Sequence, residues 1–461
     1  MKKREAKNLV TGLNGVAVSH DRKKLLVAQQ GNNYRLVDAK PGGGDNGKSV
    51  STAGLQLDRI PREEWRQIFD EVWRRFRDFF YVENMHGYDW EALREQYRPL
   101  LEHVAHRSDL NYVISEMIAE LSTSHTYISG GDWEAPDRPR AALLGVRFEL
   151  DADAGRYQLS HVFAGDNAED TYRSPLTEIG VGAEVGDYVL RINGQELTGD
   201  DNPFRLLRHA GGGPVEIALG KTPDPAAATT VLVNPVRGED DLIYLEWIDR
   251  NRRWVDEHSG GRIGYLHLPN MGSSGISEWI KWYYGQVRKE GLVIDVRNNG
   301  GGNVSQMIIE RLVRPLLMVD FERNLDQTDV YPSVVFTGKM VCLLDEDTAS
   351  DGDQFAYVFK QAGLGKLVGK RSWGGVIGIY GRGPLIDGGS VSVPESGSAG
   401  ADGQWVIEGH GVDPDVEVGN PPAEVLAGRD PQLEKALEVV LSELDGSEIL
   451  PSRPAAPVRT E

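Results

Sequence analysis

Ser350 stands in the stretch Leu343–Gly363, "LLDEDTASDGDQFAYVFKQAG", between the end of an apolar run and the start of an amphipathic one. A hydroxyl at such a junction has two uses. Ser and Asp ahead of an apolar-periodic run are what an ordinary helix N-terminus takes. A serine there can also be a nucleophile, provided that a base removes its proton and a third group holds the base. Neither partner is local, and the turn chemistry leaves both readings open. A second stretch, "VIDVRNNGGGN" at Val293–Asn303, sets three glycines behind a buried strand. Glycine lets backbone N–H groups approach a ligand closely and point at a developing oxyanion, the donor geometry of acyl transfer. A phosphate loop is the rival, disfavoured because no Lys-Ser or Lys-Thr follows the glycines. His125, in "LSTSHTYISGGDW", and Glu408, in "GQWVIEGHGVDPDVEV", are candidates for the base and its support. Their distance from Ser350 along the chain is no objection, because such sets are assembled by the fold. Composition does not single them out, since the chain has ten histidines and exposed glutamates are common.

The elements that must position these groups change in type along the chain. At 461 residues the length implies two to four domains. Residues 1–40 contain short alternating strands with turns at Ser19-His20-Asp21 and Gly31-Asn32-Asn33, a pattern similar to one propeller blade. Residues 41–58, "KPGGGDNGKSVSTAG" and its flank, break all periodicity and read as a linker. Helical period then governs 59–135. Ile68, Phe69, Val72, Trp73, Phe76 and Phe79-Phe80 form one apolar stripe, and Leu110, Val113, Ile114, Met117, Ile118 and Leu121 form another behind Ser108 as cap. Ser124 and His125 follow its last turn. Residues 140–237 switch to strands, and "GDYVLRING", with its Asn193-Gly194 turn, resembles a PDZ domain, which takes peptide ends by strand addition. From 238 to 445 near-continuous apolar strands alternate with helices, the last at Lys435–Leu444, which predicts a partly parallel sheet with active groups at strand C-terminal ends. The Pro-rich residues 446–461 read as a disordered tail. The fold class is therefore α/β multidomain.

Charge and cysteine usage bound the partners. A formal charge of -20 argues against nucleic acid, which needs clustered Lys and Arg. Cys342, the single cysteine, lies in the apolar run "KMVCLL" as a small buried hydrophobe and cannot form an internal disulfide. No apolar segment is long enough to span a bilayer, and the basic N-terminus lacks a following apolar core. A cytoplasmic protein without a membrane partner is expected.

In combination and order, "DVRNNGGG", "TASDGD", "GKRSWGG" and the intervening PDZ-like segment resemble the tail-specific or C-terminal-processing serine peptidases, and within them the C-terminal half of the tricorn branch. The resemblance runs from about Pro61 to Lys435, and the blade-like start fits it. It implies peptide hydrolysis with Ser350 as nucleophile, His125 as base, and Ser124 and Glu408 as further catalytic residues that hold the imidazole. It also implies oxyanion donors in the backbone N–H of Asp351 and of a glycine in Gly300–Gly302, with Gly301 chosen. One departure matters: many relatives place a basic lysine where "GKRSWGGVIG" has Gly375, so His125 must act as base. Peptide substrates, a homo-oligomer up to a hexamer, no metal and no cofactor follow from the resemblance. Substrate-binding residues stay unassigned; Asp320 or Glu322 could favour basic side chains, but solvated surface is the stronger reading. The alternatives are a catalytically inactive peptide- or ligand-binding protein of this fold and a structural adaptor using its blade and PDZ-like segments.

Overall fold

The computed structural model describes residues 8–459 apart from 31–32, 45–46, 57, 135, 137, 139, 209–212, 326–328, 445 and 447–448. The chain divides into two compact units, residues 1–64 and 65–461.

The first unit carries an antiparallel sheet of β1 (Leu13–Val18), β2 (Lys24–Gln29), β3 (Asn33–Asp38) and β4 (Lys48–Val50), paired in that order. Val27 and Val37 are buried, whereas Leu13, Val16, Val18, Leu26, Leu36 and Val50 are exposed. The fourth strand corrects the expected linker. Lys48–Val50 pairs with Tyr34–Leu36 and covers an edge of β3, but three residues are too few to show a period of two. The turn expected at Gly31-Asn32-Asn33 falls partly outside the described residues.

Helices α1 (Pro61–Phe79), α2 (Trp90–Tyr97) and α3 (Arg107–Ala119) follow. Pro61 opens α1, with Glu63 and Glu64 in its first turn and Arg77 in its last, the charge order that the helix dipole favours. Ile68, Phe69, Val72, Trp73 and Phe76 face the core. Phe79 does not: it turns outward beneath the Arg382 guanidinium, 3.8 Å from the ring centroid. The indoles of Trp73 and Trp90 each donate to the other's carbonyl, at 2.9 and 3.0 Å. The cap of α3 is His106 and not Ser108. Arg107 is already helical, the His106 ring accepts from the Ser108 N–H, and Asp109 accepts from the His106 N–H at 2.8 Å.

A short β5 (Ile128–Ser129) leads to an antiparallel sheet of β6 (Val146–Asp151), β7 (Arg156–Val162), β8 (Tyr188–Ile192), β9 (Gln195–Glu196), β10 (Val215–Gly220) and β11 (Thr229–Val233), with helix α4 (Pro203–Leu206) before β10. Asn193 and Gly194 have φ of 50° and 74°, as the two-residue β8–β9 turn requires.

The remaining elements are α5 (Asp240–Ser259), β12 (Ile263–His267), α6 (Ser273–Tyr283), β13 (Gly291–Asp295), α7 (Ser305–Leu312), β14 (Met318–Asp320), β15 (Asp329–Tyr331), β16 (Lys339–Leu344), α8 (Asp351–Gln361), β17 (Gly365–Gly369), β18 (Gly378–Gly381), β19 (Ser390–Ser396), β20 (Val416–Glu417), α9 (Pro422–Leu426) and α10 (Pro431–Ser442). Strands β12-β13-β16-β17-β20 form a wholly parallel sheet in that order. Their alternate residues feed two cores. Leu292, Ile294, Met340, Cys342 and Leu344 pack on one face with Phe355 and Phe359 of α8, and Val293, Val341 and Leu343 pack on the other with Ile248 of α5 and Leu437 of α10. Both faces being covered explains the continuous apolar runs. Helix α10 begins earlier than Lys435 because Asp430 caps it, accepting from the Leu433 N–H at 3.0 Å, and Pro431 takes its first position.

Candidate active site

Sheet order builds the site. Strands β13 and β16 are neighbours in parallel register, Asp295 opposite Leu343, so the loops that follow them leave the same edge side by side. Hydrogen bonds stitch these loops together. The Val296 N–H donates to Leu343 O (2.9 Å), Thr348 Oγ1 to Val296 O (2.8 Å), the Ala349 N–H to Asn299 O (2.8 Å), and the Asn298 N–H to Asp345 Oδ1 (2.9 Å). Asn299, fully buried, donates through Nδ2 to Leu268 O and accepts from the Gly301 N–H. The glycine run is thereby pinned against the serine turn: a Cβ on Gly301 would lie 2.5 Å from Ser350 Cβ.

Ser350 occupies the N-cap position of α8, yet its side chain caps nothing. Its φ of 57° and ψ of -119° lie in a region that side-chain-bearing residues rarely adopt, at a cost of roughly 1–3 kcal/mol that the surrounding bonds must hold in place. The strained turn points the hydroxyl at His125, whose Nε2 lies 3.1 Å from Ser350 Oγ. The Asp351 amide opens the helix, where no intrahelical acceptor exists and the dipole favours negative charge. The Asp351 carboxylate faces the other way, accepting from the Ser305 N–H at the start of α7 (2.9 Å) and from the Ser305 hydroxyl.

His125 follows α3 with φ of 62°, and pairing of Ile128 and Ser129 with Val391 and Ser390 of β19 ties down the chain just beyond it. Ser124 and Glu408 meet each other. Glu408 accepts from Ser124 N (2.8 Å) and Ser124 Oγ (2.9 Å), and also from the N–H groups of Val376 (2.8 Å) and Ile377 (3.3 Å). No hydrogen bond runs from either residue to the imidazole, and His125 Nδ1 is buried without a partner among the described residues. The expected grip on the ring is therefore not a direct hydrogen bond. Burial pushes the His125 pKa below its ordinary value, and the nearby Glu408 charge offsets this in part.

The choice of Gly301 as oxyanion donor meets an obstacle in the same geometry. Its N–H already donates to Asn299 Oδ1 at 2.9 Å. Asp320 and Glu322 are exposed on and just after β14. Asn299, Thr348, Asp353 and Trp373 were not foreseen as parts of the site. Asp353, buried three residues past Ser350, accepts from the Gly374 N–H at 3.0 Å, and burial raises its pKa. The Asn-Asn pair ahead of the glycines is the one local signal, since Asn side chains bind backbone N–H groups two residues on. The others depend on contacts between distant segments.

Residues 61–119 match the tricorn protease C1 domain, 142–238 the tricorn protease PDZ domain, and 262–418 peptidase family S41. The tricorn protease of Thermoplasma acidophilum is 35% identical over 458 residues, covering 99% of this chain and 42% of the relative. Tricorn protease homolog 1 of Streptomyces coelicolor is 36% identical over 435 residues, covering 93% and 40%. A putative tricorn-like protease C-terminal subunit of Sulfurisphaera tokodaii is 33% identical, covering 92% and 49%. The crystal structure of a tricorn protease superposes with a TM-score of 0.87 at 33% identity, over 96% of this chain and 42% of that one. The chain thus spans less than half the length of these relatives. Among the described residues no helix is long and apolar enough to cross a membrane.

Proposed function

We propose that this chain, which belongs to peptidase family S41 and its tricorn branch, hydrolyses peptides through Ser350 as nucleophile and His125 as general base. The observation that carries this reading is the 3.1 Å approach of His125 Nε2 to a Ser350 hydroxyl held on a strained, helix-opening turn. His125 Nε2 takes the hydroxyl proton as Oγ attacks the substrate carbonyl carbon. The Asp351 N–H and an amide of the glycine run, Gly300 or Gly302 while Gly301 is committed to Asn299, receive the oxyanion. The imidazolium returns its proton to the leaving amine, and water hydrolyses the acyl-enzyme by the reverse proton path. Ser124 and Glu408 act at one remove. Glu408 fixes the Ser124 backbone next to His125, and its charge favours the imidazolium.

Assembly as a homo-oligomer, of which a hexamer is the form implied by the family, is part of the same proposal. The exposed apolar side chains of the four-stranded sheet support a docking partner, either further blades of a longer polypeptide or another subunit. One cysteine and an acidic balance suit a cytoplasmic setting. A fluorophosphonate probe tests the core of the reading. It should label Ser350 and no other serine, and Ser350→Ala should lose both labelling and peptide turnover with its melting temperature unchanged. A folded wild-type chain that binds peptide ends yet takes no label would establish the binding-protein alternative.

A further inference from the structure

Among the described residues His125 Nδ1 has no hydrogen-bond partner, and two aromatic rings lie close to the imidazole. Trp373 stacks on it with ring centroids 5.5 Å apart and planes 23° from parallel, and Tyr127 lies at 6.0 Å and 31°. The place of the indole is built by the site itself. The Trp373 N–H donates to Thr348 O at 2.9 Å, two residues before Ser350, and the next amide, Gly374, donates to Asp353 Oδ1 at 3.0 Å. The Gly374 carbonyl accepts from the Gly409 N–H at 2.8 Å, beside Glu408. Bonds from the nucleophile turn and from the Glu408 segment thus hold both sides of Trp373.

Gly375 supplies the space. A Cβ there would lie 2.1 Å from Trp373 Cζ3 and 2.7 Å from Ser124 Cβ, so the indole lies over a residue that has no side chain. The φ of Gly375 is outside the left-handed region, so room and not backbone freedom requires glycine. Trp373 remains 45% exposed, which sets this stack apart from core packing.

We propose that Trp373 is a positioning residue: its indole face holds the His125 ring with Nε2 toward Ser350, in place of the absent third hydrogen bond, and attracts the imidazolium as it forms. The proposal rests on His125 acting as the base.

The pH dependence of kcat and KM for a short peptide, with fluorophosphonate labelling of Ser350 alongside, tests it on the full chain. Trp373→Leu keeps bulk over the ring without a π face; Trp373→Phe keeps both; Gly375→Ala leaves the tryptophan in the sequence but displaces its indole. Trp373→Leu should lower kcat about tenfold at unchanged KM. It should also move the acidic limb of kcat/KM down by about half a pH unit, since loss of the ring quadrupole disfavours the cation. Labelling should slow in parallel, phenylalanine should restore most of each quantity, and Gly375→Ala should reproduce the leucine pattern. The proposal is overturned if leucine behaves as wild type, if leucine and phenylalanine are equally impaired, or if KM rises with kcat and the acidic limb unmoved, which would make Trp373 a substrate contact. Loss of the melting transition in both the leucine and alanine variants would assign the residue to the fold and overturn it as well. A wild-type chain that neither labels nor turns over refutes the reading of Ser350 and His125 themselves, a result these variants do not mimic.

Discussion

Among the described residues two histidines are pushed below their ordinary pKa by burial, and of these only His125 has a serine hydroxyl against a ring nitrogen. His267 ends β12, an outer strand of the parallel sheet, 2% exposed, with both ring nitrogens engaged. Its Nε2 meets Arg297 O at 2.8 Å and its Nδ1 meets Tyr244 OH at 3.0 Å. A carbonyl can only accept, so Nε2 carries the hydrogen, Nδ1 accepts from the phenol, and the tautomer is locked. His125 sits in a loop at positive φ, with one nitrogen on a hydroxyl and the other without a hydrogen-bond partner among the described residues. Accepting a proton from Ser350 costs it no existing bond, whereas His267 would have to break one. Burial makes a histidine neutral; an uncommitted acceptor nitrogen makes it a base.

Mutation of the two residues breaks the comparison most sharply. His125→Ala should reduce kcat by about 10³-fold or more, nearly as much as loss of Ser350, because the pair acts as a unit. Thermal melting should show an intact fold. His267→Ala should do the reverse, leaving Tyr244 OH of α5 and Arg297 O of the loop after β13 without their partner, at about 2–4 kcal/mol of stability by chemical denaturation. Its folded fraction should retain catalysis. Equal losses of activity from both would erase the distinction.

A smaller effect is expected at Glu408. Its carboxylate accepts from four donors, and an amide cannot offer four acceptor contacts without turning its NH₂ toward one of them. Glu408→Gln should therefore cost roughly tenfold in kcat, less than His125→Ala. It should also move the acidic limb to lower pH, because the lost charge is one that raises the His125 pKa. An upward shift of that limb would contradict the placement.

Smallest is the titration of the wild-type chain. Burial outweighs the Glu408 charge at His125, so kcat/KM should rise with pH through a midpoint below about 6.5 and lie on its plateau at neutral pH. A midpoint above that value would show that the carboxylate dominates. Chelators should leave the profile unchanged.

Much of the frame could be read from the sequence because its signals are periodic. Continuous apolar runs announced a parallel sheet, and alternate residues of β13 and β16 do feed two cores. The stripe of α1 was legible to Phe76 and failed at Phe79, where a guanidinium covers the ring in place of the core. Strand β4 was missed because Lys48–Val50 is defined by its partner and not by its own pattern. The site was legible in residue types but not in geometry. Ser350 was raised by its place at a strand-to-helix junction, but His125 and Glu408 were singled out by a family resemblance, since nothing local in "TSHT" or "VIEGH" marks a base or its support. Gly375 was noticed as a missing lysine, although its positive role, room for the Trp373 indole, appears only when Ser124 and Trp373 are seen on either side of it. Asn299 divides the two cases: its side chain accepts from the Gly301 N–H two residues on, a local pattern, whereas its carbonyl accepts from the Ala349 N–H of a distant segment, which no local pattern shows.

The chain order of the site has a consequence for biosynthesis. His125 leaves the ribosome with the helical region, Ser350 follows only after the PDZ-like sheet and strands β12, β13 and β16, and Glu408 comes later still, between β19 and β20. Domains fold largely as units from the N-terminus during synthesis, so the early part of this chain can be folded while it carries an imidazole with no hydroxyl to activate. In the proposed mechanism, hydrolysis then waits until Ser350 and Glu408 have both been made, a delay set by chain order alone. Stalled chains released after residue 400 should take up no fluorophosphonate, while chains extended through α10 should label; early labelling would show that Ser350 becomes nucleophilic before Glu408 arrives.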